Sequence, residues 1–420
     1  MNRRLRVCIV TTTYPRYEED SVPRFVADLA ERLVADHQID AHVIAPHEGG
    51  LARRDLLRGV PVERFVYALN PERQCLAYGG GIPDNLRRFR RAKLQVPAFC
   101  ASMGWAVFKA ARTSDVIHAQ WVEPALIASV ANALHRKPLV LTVHSLPPKL
   151  NGFHRGVFRR ADRVIFNSHF TMQLAMSRGV RCRAEVVYQG YDTGSFGATA
   201  RTGSMRAQLS IPSTATLIST VGRMIQRKGM HVLVEAAPAI MATRPNVHLA
   251  LAGDGPCSAD VAALAAASPY RERIHLPGAL SREEVAQLLA DSDLFVNPAM
   301  IDDAGLTEPL GIVSMEAMAS GLSCVGSRVG GLPETIEDGV TGILVEPAKT
   351  EELAEAVGRL LDDPDLRARM GQAGRRRASE LFTWPAQAKR VAEIYRELLE
   401  ASKGGGERPP AASNRPLGSH

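Results

Sequence analysis

Two glutamates lie at the ends of a short run of small and apolar residues, in the segment EPLGIVSMEAMASG that runs from Glu308 to Gly321. Pro309 and Gly311 are typical of a loop, and residues 312–319 are predicted to form a helix. The first turn of a helix carries unpaired backbone N–H groups and the positive end of the helix dipole, which together can bind a phosphate. The segment therefore indicates a phosphate-binding site, and its glycine would let the backbone approach the ligand.

The groups around this helix start could bind the rest of a nucleotide. The backbone at Gly311, Ile312 and Val313 would hold the phosphate, and Glu308 would face the group that the phosphate carries. Glu316 is predicted to lie about one turn inside the helix, where it could reach a vicinal diol such as a ribose. The alternative is an ordinary amphipathic helix with two solvated glutamates.

A second cluster of candidate residues is the segment VGRMIQRKG, which follows an apolar run. Gly222 ends the predicted strand, Arg223 and Lys228 follow in the loop, and a helix is predicted to start near Gly229. An arginine offers directional hydrogen bonds and a lysine offers a point charge, so the two cations could bind a diphosphate together. A basic, solvated loop is the alternative.

Polar residues also follow three other predicted strands. The turn GDGP places Gly253, Asp254 and Gly255 after one strand, where they would line a nucleotide. His118 and His144 end the apolar runs DVIHAQW and LVLTVHS. Ligands of open parallel sheets bind beyond the carboxyl ends of the strands, which makes these positions candidates. A single histidine at a strand end is more often structural.

Short apolar runs alternate with helical patterns along most of the chain, which predicts an α/β fold with parallel sheets. A chain of 420 residues suits two such domains. We place the first at 1–197 and the second at 198–382. A helix follows at 383–401, and the tail at 402–420, rich in Gly, Pro and Ser, is predicted to be disordered.

The segments EPLG…E, GR…KG and GDGP resemble the nucleotide-sugar signature of glycosyltransferase family 4, and the resemblance extends over about residues 4 to 400. That family has the GT-B fold, with two facing Rossmann-like domains and a C-terminal helix that crosses back to the first. The resemblance implies that a nucleoside-diphosphate sugar binds the second domain and a hydroxyl acceptor the first, with chemistry in the cleft. It implies transfer of a hexose or N-acetylhexosamine with retention, without a metal or other cofactor. UDP is our first expectation for the nucleotide, and GDP the second.

The resemblance also implies roles for individual residues. Glu308 would contact the donor sugar, Glu316 would hold the ribose hydroxyls, and His144 would lie near the reacting centre. Together with Arg223 and Lys228, which would stabilise the departing diphosphate, Glu308 and His144 form the expected catalytic set.

The acceptor side is less defined by the sequence. In the family, the loop after the first strand lines the acceptor, which points to Tyr14 and Ser21 here, together with His118. The family's common Gly-Gly pair is absent from this loop, and Gln120 replaces the second histidine of the HAHW pattern. These departures leave the acceptor unassigned by sequence.

Charge is distributed unevenly. Residues 1–200 hold 28 Lys and Arg against 17 Asp and Glu, whereas residues 201–420 hold 23 against 27. The basic stretch at 86–94 and the cluster at 153–160 could contact an anionic membrane that carries a lipid-linked acceptor. The alternative is a solvated, salt-bridged helix surface. Nucleic acid is not an expected partner.

No apolar run approaches the roughly 18 residues of a membrane span. The six cysteines are scattered, which favours free thiols in a reducing cytoplasm. The expected location is therefore the cytoplasm. The alternative is a peripheral position at the inner face of the membrane.

Two rival functions stay open. One is a nucleotide-sugar epimerase of the same architecture, and the other is a protein that binds a nucleotide sugar without turnover. A dehydrogenase is disfavoured because no G-x-G-x-x-G follows a predicted strand. Asp302 and Asp303 lie in the loop before Glu308, but two adjacent aspartates are weak evidence for a metal site.

Overall fold

The computed structural model describes residues 3–403 apart from 19, 21, 23, 80, 148 and 149, and the chain divides into two units. Unit 1 takes the chain up to Asn167, then Thr171–Tyr188 and the C-terminal residues from Gln387. Unit 2 takes Ser168–Phe170 and Gln189–Ala386. Residues 189–197, which the sequence placed in the first domain, therefore belong to unit 2.

The described strands of unit 1 form one sheet in the order β3-β4-β2-β1-β5-β6-β7-β8. Neighbouring strands are parallel, except that β3 pairs antiparallel with β4. The central strands β1, β5 and β6 are buried, which explains their nearly continuous apolar sequences. The strands are β1 (Leu5–Val10), β2 (Ile39–Pro46), β3 (Arg54–Leu57), β4 (Val60–Phe65), β5 (Val116–Gln120), β6 (Leu139–Val143), β7 (Arg163–Phe166) and β8 (Ala184–Val186).

The first six helices pack around this sheet and carry much of its apolar core. They are α1 (Phe25–His37), α2 (Ile82–Arg88), α3 (Arg90–Ala111), α4 (Val122–Ala131), α5 (Gly152–Arg160) and α6 (His169–Ser177). The sequence pattern of residues 83–111 predicts a single helix. The structure has two, because the extended backbone of Phe89 (φ −121°, ψ 117°) separates α2 from α3.

Unit 2 has a six-stranded, wholly parallel sheet in the order β11-β10-β9-β12-β13-β14. The order reverses between β9 and β12, as in doubly wound nucleotide-binding folds. The strands are β9 (Thr216–Val221), β10 (Val247–Ala252), β11 (Ile274–Gly278), β12 (Leu294–Asn297), β13 (Cys324–Ser327) and β14 (Gly342–Val345).

The remaining helices cover both faces of the second sheet or lead out of it. They are α7 (Ser204–Gln208), α8 (Met230–Met241), α9 (Ser258–Ala267), α10 (Arg282–Asp291), α11 (Ile312–Ala319), α12 (Leu332–Thr335), α13 (Thr350–Asp362), α14 (Pro364–Leu381) and α15 (Trp384–Lys403). From Gln387 onward α15 belongs to unit 1, which agrees with the expected C-terminal helix of the GT-B fold. The tail from residue 404 lies outside the described residues.

Candidate functional site

The sheet of unit 2 brings two candidate loops together at its topological reversal. The loop after β9 contains Gly222, Arg223 and a short 3-10 turn at Gln226–Lys228. The loop after β12 runs from residue 298 to Gly311, where α11 begins. Because β9 and β12 are adjacent, both loops leave the same edge of the sheet. Ligands of such sheets bind at this position.

Lys228 and Glu308 join these two loops in an ion pair between Nζ and Oε2. The other carboxylate oxygen of Glu308 accepts a hydrogen bond from the N–H of Gly311 at 3.0 Å. Burial pushes the pKa of Glu308 up, but the charge and hydrogen bond of Lys228 outweigh it and hold the pKa below its usual range. Glu308 is therefore a buried anion that fixes the ammonium of Lys228 at the reversal point.

The helix α11 begins at Ile312, where the sequence predicted a helix start. Gly311 adopts a left-handed conformation (φ 84°) at the N-cap. Among the described residues, the N–H groups of Ile312 and Val313 donate no hydrogen bond, and the next N–H, that of Ser314, bonds to Gly311 O at 2.9 Å. Two backbone donors beside Lys228 and Glu308 can therefore bind an anion.

Glycines let four loops at this edge approach one another in two pairs. A Cβ at Gly330 (φ 62°) would lie 2.0 Å from the carbonyl oxygen of Glu308. A Cβ at Gly253 would lie 1.8 Å from the carbonyl oxygen of Gly222. Met224 N–H also bonds to Asp254 O at 2.9 Å, so the turn GDGP supports the loop that carries Arg223. These positions shape the site through their backbone.

Asp254 supports its own turn. Its carboxylate accepts hydrogen bonds from Ser258 Oγ and Gly255 N–H, both at 2.7 Å, and these bonds lower its pKa. Arg223 leaves the end of β9 with an exposed side chain. Arg223 can therefore reach a ligand outside the sheet, whereas the carboxylate of Asp254 stabilises the turn that contains it.

Glu316 lies on α11, half-buried, and burial raises its pKa to about 8. The positive charges of Arg282 and Lys228 oppose this rise, and Asp192 adds to it. Among the described residues nothing hydrogen-bonds to the Glu316 carboxyl group, so it can pair with a ligand hydroxyl. Arg282 and Asp192, which form an ion pair at 3.2 Å, lie near Glu316. The sequence does not indicate this pair, because no local pattern links two positions ninety residues apart.

Of the two aspartates in the loop after β12, Asp302 forms hydrogen bonds within that loop and Asp303 forms one with the loop after β9. Asp302 accepts hydrogen bonds from the N–H groups of Ala304 (3.0 Å) and Leu306 (2.8 Å). Asp303 accepts one from Gln226 Nε2 at 2.9 Å. In the part of the chain that the structure describes, no group of three His, Cys, Asp or Glu side chains could hold a metal ion.

In unit 1, His144 follows β6 and is half-buried between two aromatic rings. Its ring centroid lies 4.6 Å from that of Phe25 and 5.0 Å from that of Trp121. Its Nε2 is 2.8 Å from Oε1 of Gln120. The position after a strand at the carboxyl edge agrees with the predicted one.

The acceptor-side predictions need correction. His118 exposes none of its surface, because its ring is enclosed by Tyr395 and Thr142, and Tyr14 is also fully buried. Neither side chain can contact an acceptor in this structure, and both are part of the core of unit 1. Ser21 lies outside the described residues.

A separate cavity of about 420 Å³ in unit 2 lies where α10 and α11 end, at the opposite edge of the sheet. It is lined by Arg201, Arg367 and Arg375, which resembles an anion site. However, Arg367 donates to Leu360 O at 3.0 Å and Arg375 donates to Gly197 O at 2.7 Å. Arg201 forms an ion pair with Asp293 at 2.8 Å, so these three arginines already have protein partners and we assign no phosphate to the cavity.

Comparisons with known proteins agree with this geometry. Residues 22–195 match the model of Glycosyltransferase Family 4, and residues 202–377 match that of Glycosyl transferases group 1. The chain is 31% identical over 317 residues to an alpha-maltose-1-phosphate synthase of Mycobacterium tuberculosis, covering 69% of this chain and 80% of that protein. It is 32% identical over 289 residues to a GDP-mannose-dependent alpha-(1-6)-phosphatidylinositol monomannoside mannosyltransferase of Mycolicibacterium smegmatis, covering 66% and 75%.

Solved structures show the same fold. A sucrose-phosphate synthase from Thermosynechococcus elongatus superposes with a TM-score of 0.74 at 23% identity, covering 95% of this chain and all of that one. The Anabaena protein HepE in complex with UDP superposes with a TM-score of 0.72 at 22% identity, covering 94% and 100%. With both halves of the chain matched and the signature residues assembled at one sheet edge, the chain belongs to the group 1 glycosyltransferases and has the GT-B fold.

Proposed function

We propose that this chain is a retaining glycosyltransferase that moves a hexose or N-acetylhexosamine from a nucleoside-diphosphate sugar to a hydroxyl acceptor. The observation that carries the proposal is the ion pair of Lys228 with Glu308 beside the open first turn of α11. A donor's diphosphate would meet one ammonium group and the N–H groups of Ile312 and Val313. Arg223 adds an exposed guanidinium at the end of β9.

These groups supply what the reaction requires. The bond between C1 of the sugar and the phosphate oxygen breaks, and negative charge develops on the leaving diphosphate. Donors fixed in advance where charge develops are usually the largest catalytic contribution. The acceptor oxygen then bonds to C1 on the same face, and its proton passes to an oxygen of the leaving phosphate. The cations and the helix start can neutralise the diphosphate without a metal, and we propose that none is required.

One structural neighbour and one relative support the choice of nucleotide. HepE was solved with UDP, and the mannosyltransferase relative is named for GDP-mannose. UDP remains our first choice and GDP the second. The test is a thermal-shift screen of UDP, GDP, ADP and dTDP sugars, followed by donor hydrolysis without acceptor. A ligand that binds the native state raises the melting temperature with its concentration.

We expect a shift with one sugar nucleotide and slow hydrolysis of it. The Lys228→Met variant should lose both, and the exposed Lys349→Met variant is the matched control. If no sugar nucleotide shifted the wild type, the donor site would be wrong. If binding occurred and the sugar were released as its epimer, the rival epimerase would be favoured.

We also propose that the acceptor is presented at a membrane surface, since exposed basic residues accompany exposed apolar ones in unit 1. Arg88 and Arg91 are exposed next to Leu94, which is 81% exposed, and Phe153 in the second basic cluster is 74% exposed. Anionic lipid attracts such segments. None of the described helices is both long and apolar enough to cross a bilayer.

Co-sedimentation with phosphatidylglycerol vesicles tests this contact. We expect binding that Arg88→Glu with Arg91→Glu abolishes and that pure phosphatidylcholine does not support. The matched control reverses two exposed arginines of unit 2, Arg369→Glu with Arg376→Glu. Equal binding by both double variants would reject the membrane contact while leaving the donor site untouched.

A further inference from the structure

Four polar side chains of unit 1 form a continuous chain of hydrogen bonds from α15 to the end of β6. Tyr395 Oη lies 2.6 Å from Nδ1 of His118, and Nε2 of His118 lies 3.2 Å from Nε2 of Gln120. Oε1 of Gln120 in turn lies 2.8 Å from Nε2 of His144. Tyr395, His118 and Gln120 are completely buried. A buried network of this kind is constrained, because each member must satisfy its neighbours.

The amide of Gln120 determines which atom donates and which accepts in each of these hydrogen bonds. The NH₂ group of Gln120 can only donate, so Nε2 of His118 must accept, and the hydroxyl of Thr142, 2.7 Å away, donates to the same nitrogen. Burial, and secondarily the charge of His144, lowers the pKa of His118 to about 3, so its ring is neutral and carries a single proton. That proton must lie on Nδ1 and be donated to Tyr395 Oη.

The same amide determines the next ring. Its Oε1 can only accept, so His144 donates from Nε2. The rings of Phe25 and Trp121 restrict the orientation of His144 on its flanks. When both rings are neutral, the two histidines are therefore predicted to hold opposite tautomers, with the proton on Nδ1 in His118 and on Nε2 in His144.

We infer that Tyr395, His118 and Gln120 are positioning residues that set the tautomer and orientation of His144. Tyr395 belongs to the C-terminal helix and lies 277 positions from His118 in the sequence. Gln120 thereby has a function of its own. One end of its amide can only donate and the other can only accept, so the amide determines which nitrogen of each histidine carries the proton. The consequence for catalysis rests on the proposed role of His144, but the tautomers do not.

Removal of the phenol oxygen of Tyr395 tests whether this chain of hydrogen bonds sets the tautomer of His144. In Tyr395→Phe the Nδ1–H of His118 would lose its acceptor, and a buried donor without a partner is costly. We expect the proton of His118 to move to Nε2, where it would face the NH₂ group of Gln120, so the Gln120 amide must rotate and accept this hydrogen bond through its oxygen. A rotated Gln120 amide would then donate to Nε2 of His144, whose proton must move to Nδ1. A change in the protonated nitrogen of His118 would thus change the protonated nitrogen of His144.

The experiment is nitrogen-15 NMR of the full chain labelled at histidine, with the resonances assigned by single His→Gln variants. In the wild type we expect a protonated Nδ1 in His118 and a protonated Nε2 in His144. Tyr395→Phe should exchange the protonated nitrogen of His144, and Tyr270→Phe in unit 2 is the matched control that should change neither ring.

Two results would overturn the inference. One is the reverse pair of tautomers in the wild type, which would mean that the amide points the other way. The other is a folded Tyr395→Phe protein in which His144 is unchanged. If that variant does not fold, the wild-type spectrum alone still decides the tautomers. Steady-state kinetics adds a separate readout, with a several-fold loss of kcat at unchanged donor KM expected in Tyr395→Phe. Absence of any transferase activity in the wild type would reject the proposed function while leaving the NMR result standing.

Discussion

Lys228 and Glu308 lie 80 positions apart in the sequence and form an ion pair where the loops after β9 and β12 meet. Glu308 is 6% exposed, and the second oxygen of its carboxylate accepts a hydrogen bond from the N–H of Gly311. The pair therefore links the positive group of one loop to the helix start of the other. Any change to one partner should affect both the loop and the helix.

Lys228→Met should weaken nucleoside-diphosphate binding at least tenfold, because a positive charge at the diphosphate is lost. It should also lower the free energy of unfolding by on the order of 2 kcal/mol, since Glu308 is left buried without its partner. Isothermal titration calorimetry and urea unfolding measure the two effects. In Lys228→Met with Glu308→Gln we expect part of the stability to return while the affinity stays low. Wild-type affinity in either variant would contradict the assignment.

Glu316 should make nucleotide affinity depend on pH. Its pKa of about 8 means that the carboxyl group is mostly protonated at pH 7 and ionised at pH 9. An ionised carboxylate accepts stronger hydrogen bonds from ribose hydroxyls. Affinity for the nucleoside diphosphate should therefore rise between pH 7 and pH 9, and comparison with Glu316→Gln separates this effect from titration of the nucleotide itself. Glu316→Gln should remove this rise. Parallel pH profiles for the variant and the wild type would reject the ribose contact.

Gly330→Ala should damage the proposed donor site through the backbone. Its Cβ would lie 2.0 Å from Glu308 O, and the residue has a φ of 62°. Gly339→Ala is the matched control, because Gly339 also has a positive φ (76°) but a Cβ there meets nothing within 4 Å. We expect the control to lose about 1 kcal/mol of stability from strain alone and to keep its affinity. Gly330→Ala should lose more stability and bind nucleotide less tightly. Equal effects would exclude a specific role for the turn.

His118 should make unit 1 less stable in acid. Its pKa is about 3 in the folded protein, against 6.5 for an ordinary histidine. Between these values the unfolded chain binds a proton that the native state does not, so stability falls as the pH is lowered from 6.5 towards 3. The limiting slope for one such site is about 1.4 kcal/mol per pH unit. Urea unfolding at several pH values should give a shallower slope for His118→Gln than for the wild type, and parallel slopes would contradict the shift.

The sequence predicted some elements to the residue and missed others for identifiable reasons. The sequence predicts strands at 247–252 and 294–297 and a helix at 152–160, and these are the bounds of β10, β12 and α5. Buried parallel strands appear as short apolar runs, and α5 begins at a capping asparagine. The strand β3 was not predicted, since its side chains are mostly exposed and show no apolar alternation. Its hairpin turn with β4 uses Arg58 and Gly59 at positive φ, and arginine is an uncommon residue there.

The site was predicted in part. The helix start at Gly311 and the cation at Lys228 follow local rules, so the sequence alone indicates them. Their pairing through Glu308 depends on the strand order, which no local pattern encodes. The burial of His118 depends on Tyr395, which comes from the other end of the chain. A histidine at a strand end gives no sign of which helix will cover it.

The helix α15 has a consequence for how the protein is made. The ribosome completes every residue of unit 2 before it reaches Gln387, yet unit 1, which begins the chain, still lacks the segment that carries Tyr395. Domains usually fold in the order of their synthesis, with the N-terminal one first. Unit 1 is therefore begun first and finished last, so a premature stop shortly before residue 387 would release a complete unit 2 attached to an incomplete unit 1.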